Sequence, residues 1–359
     1  MFRSIIRYTL LIINILVAVG YLFGVASTFV PPYRMVFFSY FGLFFPLFAA
    51  ANIFFALFWG IRRKWFILIS AALLIFTFSY LNDCFTIPYK NFAKHKTEQE
   101  IKILSYNISA LRMVRNKQTP DFFKFIAEVD ADIVCFQEFG YYKEKDRDEF
   151  LAEMKKNYPY SHIWYKNQSQ GSSWGVATFS KFSIIFKQKI DFASEYNISV
   201  FSDIVVKNDT IRVFNNHLES NKFSMADIKL YQNAGNNFSG NELKNLSSLL
   251  SQKLGDAYKI RAVQARIVAD DIKKSPYKNI VCGDFNDVPQ SYAYHKIKND
   301  LTDLFTSTAW GYRYTFYTKG MLVGIDHILI DKSFVPISLT IPRKKFSDHY
   351  PVVGVFGIK

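Results

Sequence analysis

The sequence predicts an α/β or α+β domain carried behind three membrane-spanning helices. Long apolar stretches crowd its N-terminal end. Beyond them, short strand-like apolar runs alternate with longer helical patterns, the order expected of strands and helices packed in layers. Those runs also stop, again and again, at Asn, Glu, Asp or His. With 50% hydrophobic and 18% aromatic residues in 359, the chain is neither disordered nor of low complexity.

Tyr8 to Val30 and Val36 to Gly60 are apolar and nearly uncharged, and Trp65 to Leu81 makes a shorter third run. A helix needs about 20 such residues to cross a bilayer, with about 17 as the lower end. The first run is too long for the apolar region of a cleaved signal peptide. Arg3 and Arg7 precede the first run and Arg62-Arg63-Lys64 separates the second from the third, whereas the first loop carries only Arg34. Basic residues stay in the cytoplasm, so the third span exits and everything after about Leu81 lies outside it. The expectation is a multi-pass protein of the cell (inner) membrane with an extracytoplasmic domain. Tyr33, Trp59, Trp65 and Tyr80 suit an interfacial aromatic belt. Pro88 to Gln99 is polar and basic, as a tether would be. The expected organisation is a membrane anchor at 1–87, a linker at 88–99 and an α/β domain at 100–359, whose strand ends decide whether it is catalytic.

The net charge of +14 resembles a nucleic-acid footprint until it is divided. Residues 1–94 hold eight Lys/Arg against one Asp/Glu, a net +7, and the other +7 is spread over the rest. That mild excess fits an anionic substrate or membrane surface as readily as DNA. Cys84, Cys135 and Cys282 are too scattered for a zinc or redox motif, and the last two sit in apolar runs as packing residues.

The strand termini carry the chemistry. Ile101 to Tyr106 ends at Asn107, Asp132 to Phe136 at Gln137-Glu138, and Ile211 to Asn216 at His217. Ile280-Val281-Cys282 runs into Gly283-Asp284-Phe285-Asn286-Asp287, where alternation puts Asp284 and Asn286 on one face. Near the C-terminus Gly324-Ile325 precedes Asp326-His327, and the last motif is Ser347-Asp348-His349-Tyr350-Pro351. Turns alone would explain Asn, Asp and Gly, but turns have no use for Glu or His. Rigid scaffolds present reactive groups at strand ends. Asn107, Glu138, Asp284, Asn286, Asp326 and Asp348 are hard oxygen donors, which suit Mg²⁺ or Mn²⁺ rather than Zn²⁺. Two His beside such an ion point to phosphate chemistry.

In their order, ILSYN, FQE, SSWGVATFSK, NNHLE, GDFND, GIDHILI and SDHYP resemble the endonuclease/exonuclease/phosphatase superfamily over about residues 100–359. The resemblance implies a four-layer α/β sandwich with two mixed β-sheets packed face to face between helices. It implies a metal-dependent phosphoric ester hydrolase. Glu138 would be the principal Mg²⁺ ligand, with Asn107 beside it and Asp348 assisting. Asp284 would orient or deprotonate the attacking water, and Asn286 would hold water or phosphate. His349 would act at the scissile phosphate, paired with Asp326, and His217 would be a second phosphate-binding His. His327 is expected to be structural, and His162 and His295 have no comparable context.

The superfamily does not fix the substrate. An insertion from Asn221 to Tyr258 places Leu243, Leu246, Leu250 and Leu254 near one helical face, for packing or for a membrane. The aromatic segment Trp310 to Tyr317 stacks bases or packs. An anchored domain meets lipid-linked phosphates at high effective concentration. The expected substrate is an envelope or lipid-linked phosphoester, with nucleic acid in a membrane-anchored extracytoplasmic nuclease as the alternative. A non-catalytic binding module is a third class, and it would have lost Glu138, Asp284 or His349. No obligate protein partner is implied.

Overall fold

The computed structural model describes residues 2–87, 97, 99–169, 172–222, 240–318 and 321–358. Its N-terminal part contains α1 (Phe2–Ala26), α2 (Phe37–Leu43), α3 (Phe45–Ile61), α4 (Ile67–Phe76), α5 (Phe78–Cys84) and the short β1 (Phe85–Thr86). Then come β2 (Gln99–Asn107), α6 (Arg112–Arg115), α7 (Thr119–Val129), β3 (Ile133–Gln137), α8 (Glu144–Lys155), β4 (Tyr160–Ser169) and β5 (Ser172–Ser180). The middle holds β6 (Ile184–Ile190), β7 (Ile198–Val206), β8 (Asp209–His217), α9 (Gly240–Lys273), β9 (Lys278–Asp284) and α10 (Tyr292–Lys298). The chain closes with β10 (Thr302–Asp303), α11 (Leu304–Thr308), β11 (Gly311–Tyr312), β12 (Phe316–Thr318), β13 (Met321–Val323), β14 (Asp326–Ile330), β15 (Val335–Thr340) and β16 (Val352–Ile358).

Two six-stranded mixed sheets result, in the orders β10-β14-β9-β8-β7-β6 and β15-β16-β2-β3-β5-β4. Each has one parallel pair at its centre, β8 with β9 and β2 with β3, and antiparallel pairs outside it. The alternation of side chains explains the layers. Ile101, Ile103 and Ile133 of one sheet meet Val213, Ile280 and Ile328 of the other in a buried cluster. Cys135 and Cys282 lie in the same cluster as free thiols, as packing residues should. The opposite faces take the helices. Tyr106, Val134 and Phe136 pack on Phe122 and Phe125 of α7 and Phe150 of α8. Phe214, Val281 and Leu329 pack on Ala265 and Val268 of α9 and Tyr294 of α10. Helix, sheet, sheet, helix is the four-layer sandwich implied above.

The N-terminal helices depart from the three simple spans expected. Among the described residues α1 is the one helix both long and apolar enough to cross a membrane. The second and third stretches are each bent pairs, 66° between α2 and α3 and 72° between α4 and α5, so three crossings arise only if each pair counts as one. Pro46, at the start of α3, cannot extend the preceding helix. At the second break Thr77 leaves helical geometry and its hydroxyl donates to Leu73 O at 2.6 Å, a back-bond that bends helices. The helices are tied by polar side chains: Asn14 donates to Ser70 Oγ at 2.8 Å, Ser70 to Asn52 Oδ1 at 2.9 Å, and Trp59 Nε1 to Asn14 Oδ1 at 3.0 Å. Most of the expected tether, 88–96 and 98, lies outside the described residues, as do 223–239 of the insertion and the side chains of Leu243, Leu246 and Leu250.

Candidate active site

Register brings the predicted residues to one edge. Across three neighbouring strands His217 pairs with Asp284 and Asp284 with Asp326. In the other sheet Asn107 pairs with Gln137, so Glu138 follows immediately. Asp326 begins its strand where the others end, because β14 runs antiparallel to β9. Gly283 makes the approach possible. Its φ is +129°, and a Cβ there would lie 2.0 Å from Asn216 O. Glu138 and Asn286 also have left-handed backbones, φ 48° and 52°. Asn tolerates that region well and Glu poorly, so Glu138 is held in a strained conformation of the kind that clusters at functional sites.

Asn107 bridges the sheets. Its Nδ2 donates to Glu138 Oε1 at 3.1 Å and to Asp284 Oδ2 at 2.9 Å, while Oδ1 accepts from Ser109 N. Asp284 Oδ1 accepts from Asn286 N at 2.8 Å. His349 Nδ1 lies 2.9 Å from Asp326 Oδ2, and its Nε2 3.7 Å from Asp284 Oδ2. Beneath the rim a polar layer joins the sheets, with Gln137 Nε2 donating to Asn215 Oδ1 at 2.7 Å and Asn215 Nδ2 to Phe136 O and Ala177 O.

Burial works against a charged His349, but Asp326 and Asp284 outweigh it and push its pKa up to about 10. It is an imidazolium with both ring nitrogens as donors. Burial, then the Asp326 charge, pushes Asp284 up to about 6. Burial also raises Glu138 against the Asn107 hydrogen bond, although its side chain remains 30% exposed. Burial lowers His217, with Asp284 opposing. The hydrogen bonds agree on a neutral His217. Asn197 Nδ2 donates to Leu218 O at 2.8 Å, which identifies that nitrogen, and it lies 3.1 Å from His217 Nε2. Nε2 therefore accepts, and the ring proton sits on Nδ1.

Asn286 and Asp348 are placed less simply. Asn286 Nδ2 donates to Leu218 O at 2.9 Å, which leaves its Oδ1 for a ligand. Asp348 is half-exposed, faces Arg112 at 3.8 Å and accepts from Ser347 Oγ. His327 is structural: Arg313 Nη1 donates to its Nδ1 at 2.7 Å, and Nε2 donates to Asp287 O at 3.1 Å. Asn197 and Thr315 were not singled out by the sequence. Thr315 Oγ1 accepts from the backbone N–H of both Ile325 and Asp326, setting the Asp326 side chain under His349. Their only signal is a place beside an apolar strand.

The donor set fits a hard divalent cation. Asp326 Oδ1 is buried with no hydrogen-bond partner among the described residues, and burial raises both Asp284 and Glu138 even with His349 beside them, so a bound cation would offset a cost these carboxylates already bear. Ligand atoms of Asp284, Asp326 and His349 lie within 4.8 Å of one another, the spacing of a metal site, but His349 could ligate only after losing a ring proton, which leaves the carboxylates as the donors for a hard cation.

Two stacked mixed sheets with a carboxylate, amide and imidazole rim define the phosphoesterase fold of the endonuclease/exonuclease/phosphatase type. The profile described as "Endonuclease/Exonuclease/phosphatase family" matches residues 104–349, and the chain belongs to that family. Its members are generally metal-dependent phosphoester hydrolases. Residues 7–84 match a second profile, "Domain of unknown function (DUF8431)". No curated protein matches the chain. Among solved structures, an endonuclease/exonuclease/phosphatase from Bacteroides vulgatus is 16% identical with a TM-score of 0.53, covering 73% of this chain and 100% of that one. The human Nocturnin catalytic domain with bound sulfate is 17% identical at 0.52, covering 72% and 95%. D. rerio TDP2 complexed with a single-strand DNA product is 15% identical at 0.51, covering 72% and 100%. At these identities the likeness is one of fold.

Proposed function

We propose that this protein is a membrane-anchored, divalent-metal-dependent phosphoesterase that hydrolyses its substrate with an activated water. The supporting observation is the convergence of His349 and Asp284, 3.7 Å apart, from distant parts of the chain, with Asp326 bonded behind the His. Glu138, with Asn107 beside it and Asp348 assisting, would hold Mg²⁺ or Mn²⁺, whose charge polarises a phosphoryl oxygen when bound. Asp284 Oδ2 takes the proton of the attacking water as the new P–O bond forms. His349 keeps its proton on Nε2 and donates a hydrogen bond to the phosphoryl oxygen that gains charge. Asp326 holds Nδ1–H and so fixes the ring. The bond to the leaving oxygen breaks with its electron pair going to that oxygen, which takes a proton from solvent as the product leaves. Asn286 Oδ1 is free to orient the water. His217 grips phosphate through Nε2 only if Asn197 releases that nitrogen and a proton arrives.

The division into anchor (1–87), linker (88–99) and catalytic domain (100–359), with the domain on the extracytoplasmic side, belongs to the same proposal. It favours an envelope or lipid-linked phosphoester, since anchoring concentrates such substrates at the site. Nucleic acid is the second reading, prompted by the fold shared with the DNA-bound fish protein. In the aromatic segment Trp310 is 75% exposed, whereas three other rings are engaged within the domain. Tyr317 stacks on Tyr350 at 4.3 Å, Arg343 covers Tyr314 at 3.6 Å, and Phe316 packs edge-on to His349 at 5.0 Å. These rings are committed to packing. The test is hydrolysis of bis(p-nitrophenyl) phosphate by the full chain in detergent. Activity is expected to vanish in EDTA and return with Mg²⁺ or Mn²⁺, and full activity in excess chelator would remove Glu138 from its role.

A further inference from the structure

The anchor does more than lie beside the domain. The segment that leaves Asp284 ends at Gln290, which is 1% exposed and gripped from both sides by the N-terminal helices. Ser27 Oγ, just past α1, shares its one proton between Gly24 O and Gln290 O, each at 2.6 Å, and Gln290 Nε2 donates to Tyr80 O in α5 at 2.7 Å. Gly42 of α2 closes against the same carbonyl. A Cβ there would stand 2.2 Å from Gln290 O and 2.4 Å from Ser27 Oγ, so only glycine fits.

A second contact reaches the other catalytic strand. β1, at the end of the anchor, pairs with β11, and Arg313 N donates to Cys84 O at 2.9 Å. Two residues on, Thr315 holds the backbone of Asp326. Asp83, 4% exposed, is charge-paired with Lys298 of α10 at 2.6 Å. A charge so buried is retained where its partner is fixed, since breaking such a pair is strongly destabilising.

We propose that Ser27 and Gly42 are positioning residues for the loop Asp284–Gln290, so that the anchor is part of the framework of the active site and not only a tether. The loop is already fixed near its catalytic end, where Phe285 N donates to Ile325 O at 2.9 Å and Arg261 Nε to Asp287 Oδ2 at 3.1 Å. The anchor fixes the far end. With both ends held the loop is rigid; with the far end released it gains freedom, and the placing of Asp284 Oδ2 against His349, set by strand pairing, loosens. Displacements of this kind act on turnover more than on binding.

The test compares Gly42→Ala, Ser27→Ala and Gly60→Ala in the full chain in detergent. Gly60 is the control, because a Cβ there meets only Ile67 Cδ1 at 3.4 Å. The first measurement is amide hydrogen exchange over residues 284–290, which does not depend on activity. Gly42→Ala is expected to raise exchange there by about tenfold, Ser27→Ala by less, and Gly60→Ala not at all. The second is hydrolysis of bis(p-nitrophenyl) phosphate, where kcat is expected to fall by about tenfold in Gly42→Ala with KM within about twofold. This arm alone rests on the function proposed above. A parent chain that does not cleave the probe counts against that function and leaves the exchange result to decide this one. Ser27→Ala adds no volume and serves if Gly42→Ala fails to insert. Unchanged exchange at 284–290, or a rise no larger than in the rest of the domain, overturns the proposal.

Discussion

At His349 burial and charge pull in opposite directions, and charge wins because Asp326 and Asp284 both face the ring. If Asp284 takes a proton and His349 stabilises developing charge, both contribute mainly in the transition state. Asp284→Asn is expected to lower kcat by about 10²–10⁴ with little change in KM. Asp326→Asn removes an orienting partner and leaves the imidazole, so its loss is smaller. Combining Asp284→Asn with His349→Ala is expected to cost far less than the product of the two, since groups acting on one transition state fail together. Full multiplicativity in steady-state kinetics would separate their roles. At this scale the sequence was informative where a residue's type was unusual for its position. Glu138 and His349 were legible because turns have no use for them. Asn197 and Thr315 were not, because they act through a neighbour's ring nitrogen or backbone and look like ordinary turn and strand residues.

Among the elements, register does the assembling. One pairing aligns His217 with Asp284 and the next aligns Asp284 with Asp326, so a slip of one residue in β9 would turn Asp284 away from the rim. Strand ends could be read from apolar runs, whereas sheet order could not, since it depends on contacts between β2 and β16 or β8 and β9 that are remote in sequence. The bends at Pro46 and Thr77 were missed because hydropathy averages over them. The two sheets are also joined by His162 of β4, whose Nδ1 lies 2.9 Å from Ser202 Oγ of β7. Burial, with Lys187 adding to it, lowers the pKa of His162 to about 4. Above pH 6.5 the ring is neutral in both folded and unfolded chains and its full contribution is present. Between 6.5 and 4 only the unfolded chain takes the proton, so stability falls as pH falls. At pH 5 that amounts to about 2 kcal/mol. The drop in thermal midpoint from pH 7 to pH 5 is therefore expected to be smaller in His162→Gln than in the parent. An identical drop would mean that His162 is not held neutral.

Over the whole molecule, the basic residues flanking the apolar stretches set the expected orientation. Fusions after Lys359 report it: in a bacterial host a C-terminal alkaline phosphatase is expected to be active and a green fluorescent protein dark. The reverse pattern would place the domain in the cytoplasm and remove the preference for envelope substrates. In the sequence the N-terminal helices and the α/β domain look like separate parts, because no local pattern records that Ser27 meets Gln290, 263 residues away. The central claim is metal-dependent phosphoester hydrolysis at His349 and Asp284. Its most direct test is turnover by the full chain and by His349→Ala on plasmid DNA, RNA, sphingomyelin, phosphoinositides and undecaprenyl pyrophosphate, each with and without Mg²⁺. The account predicts Mg²⁺-dependent cleavage of at least one of them, lowered by about 10²–10⁴ in His349→Ala. Near-native turnover by His349→Ala on a substrate the parent cleaves would contradict it.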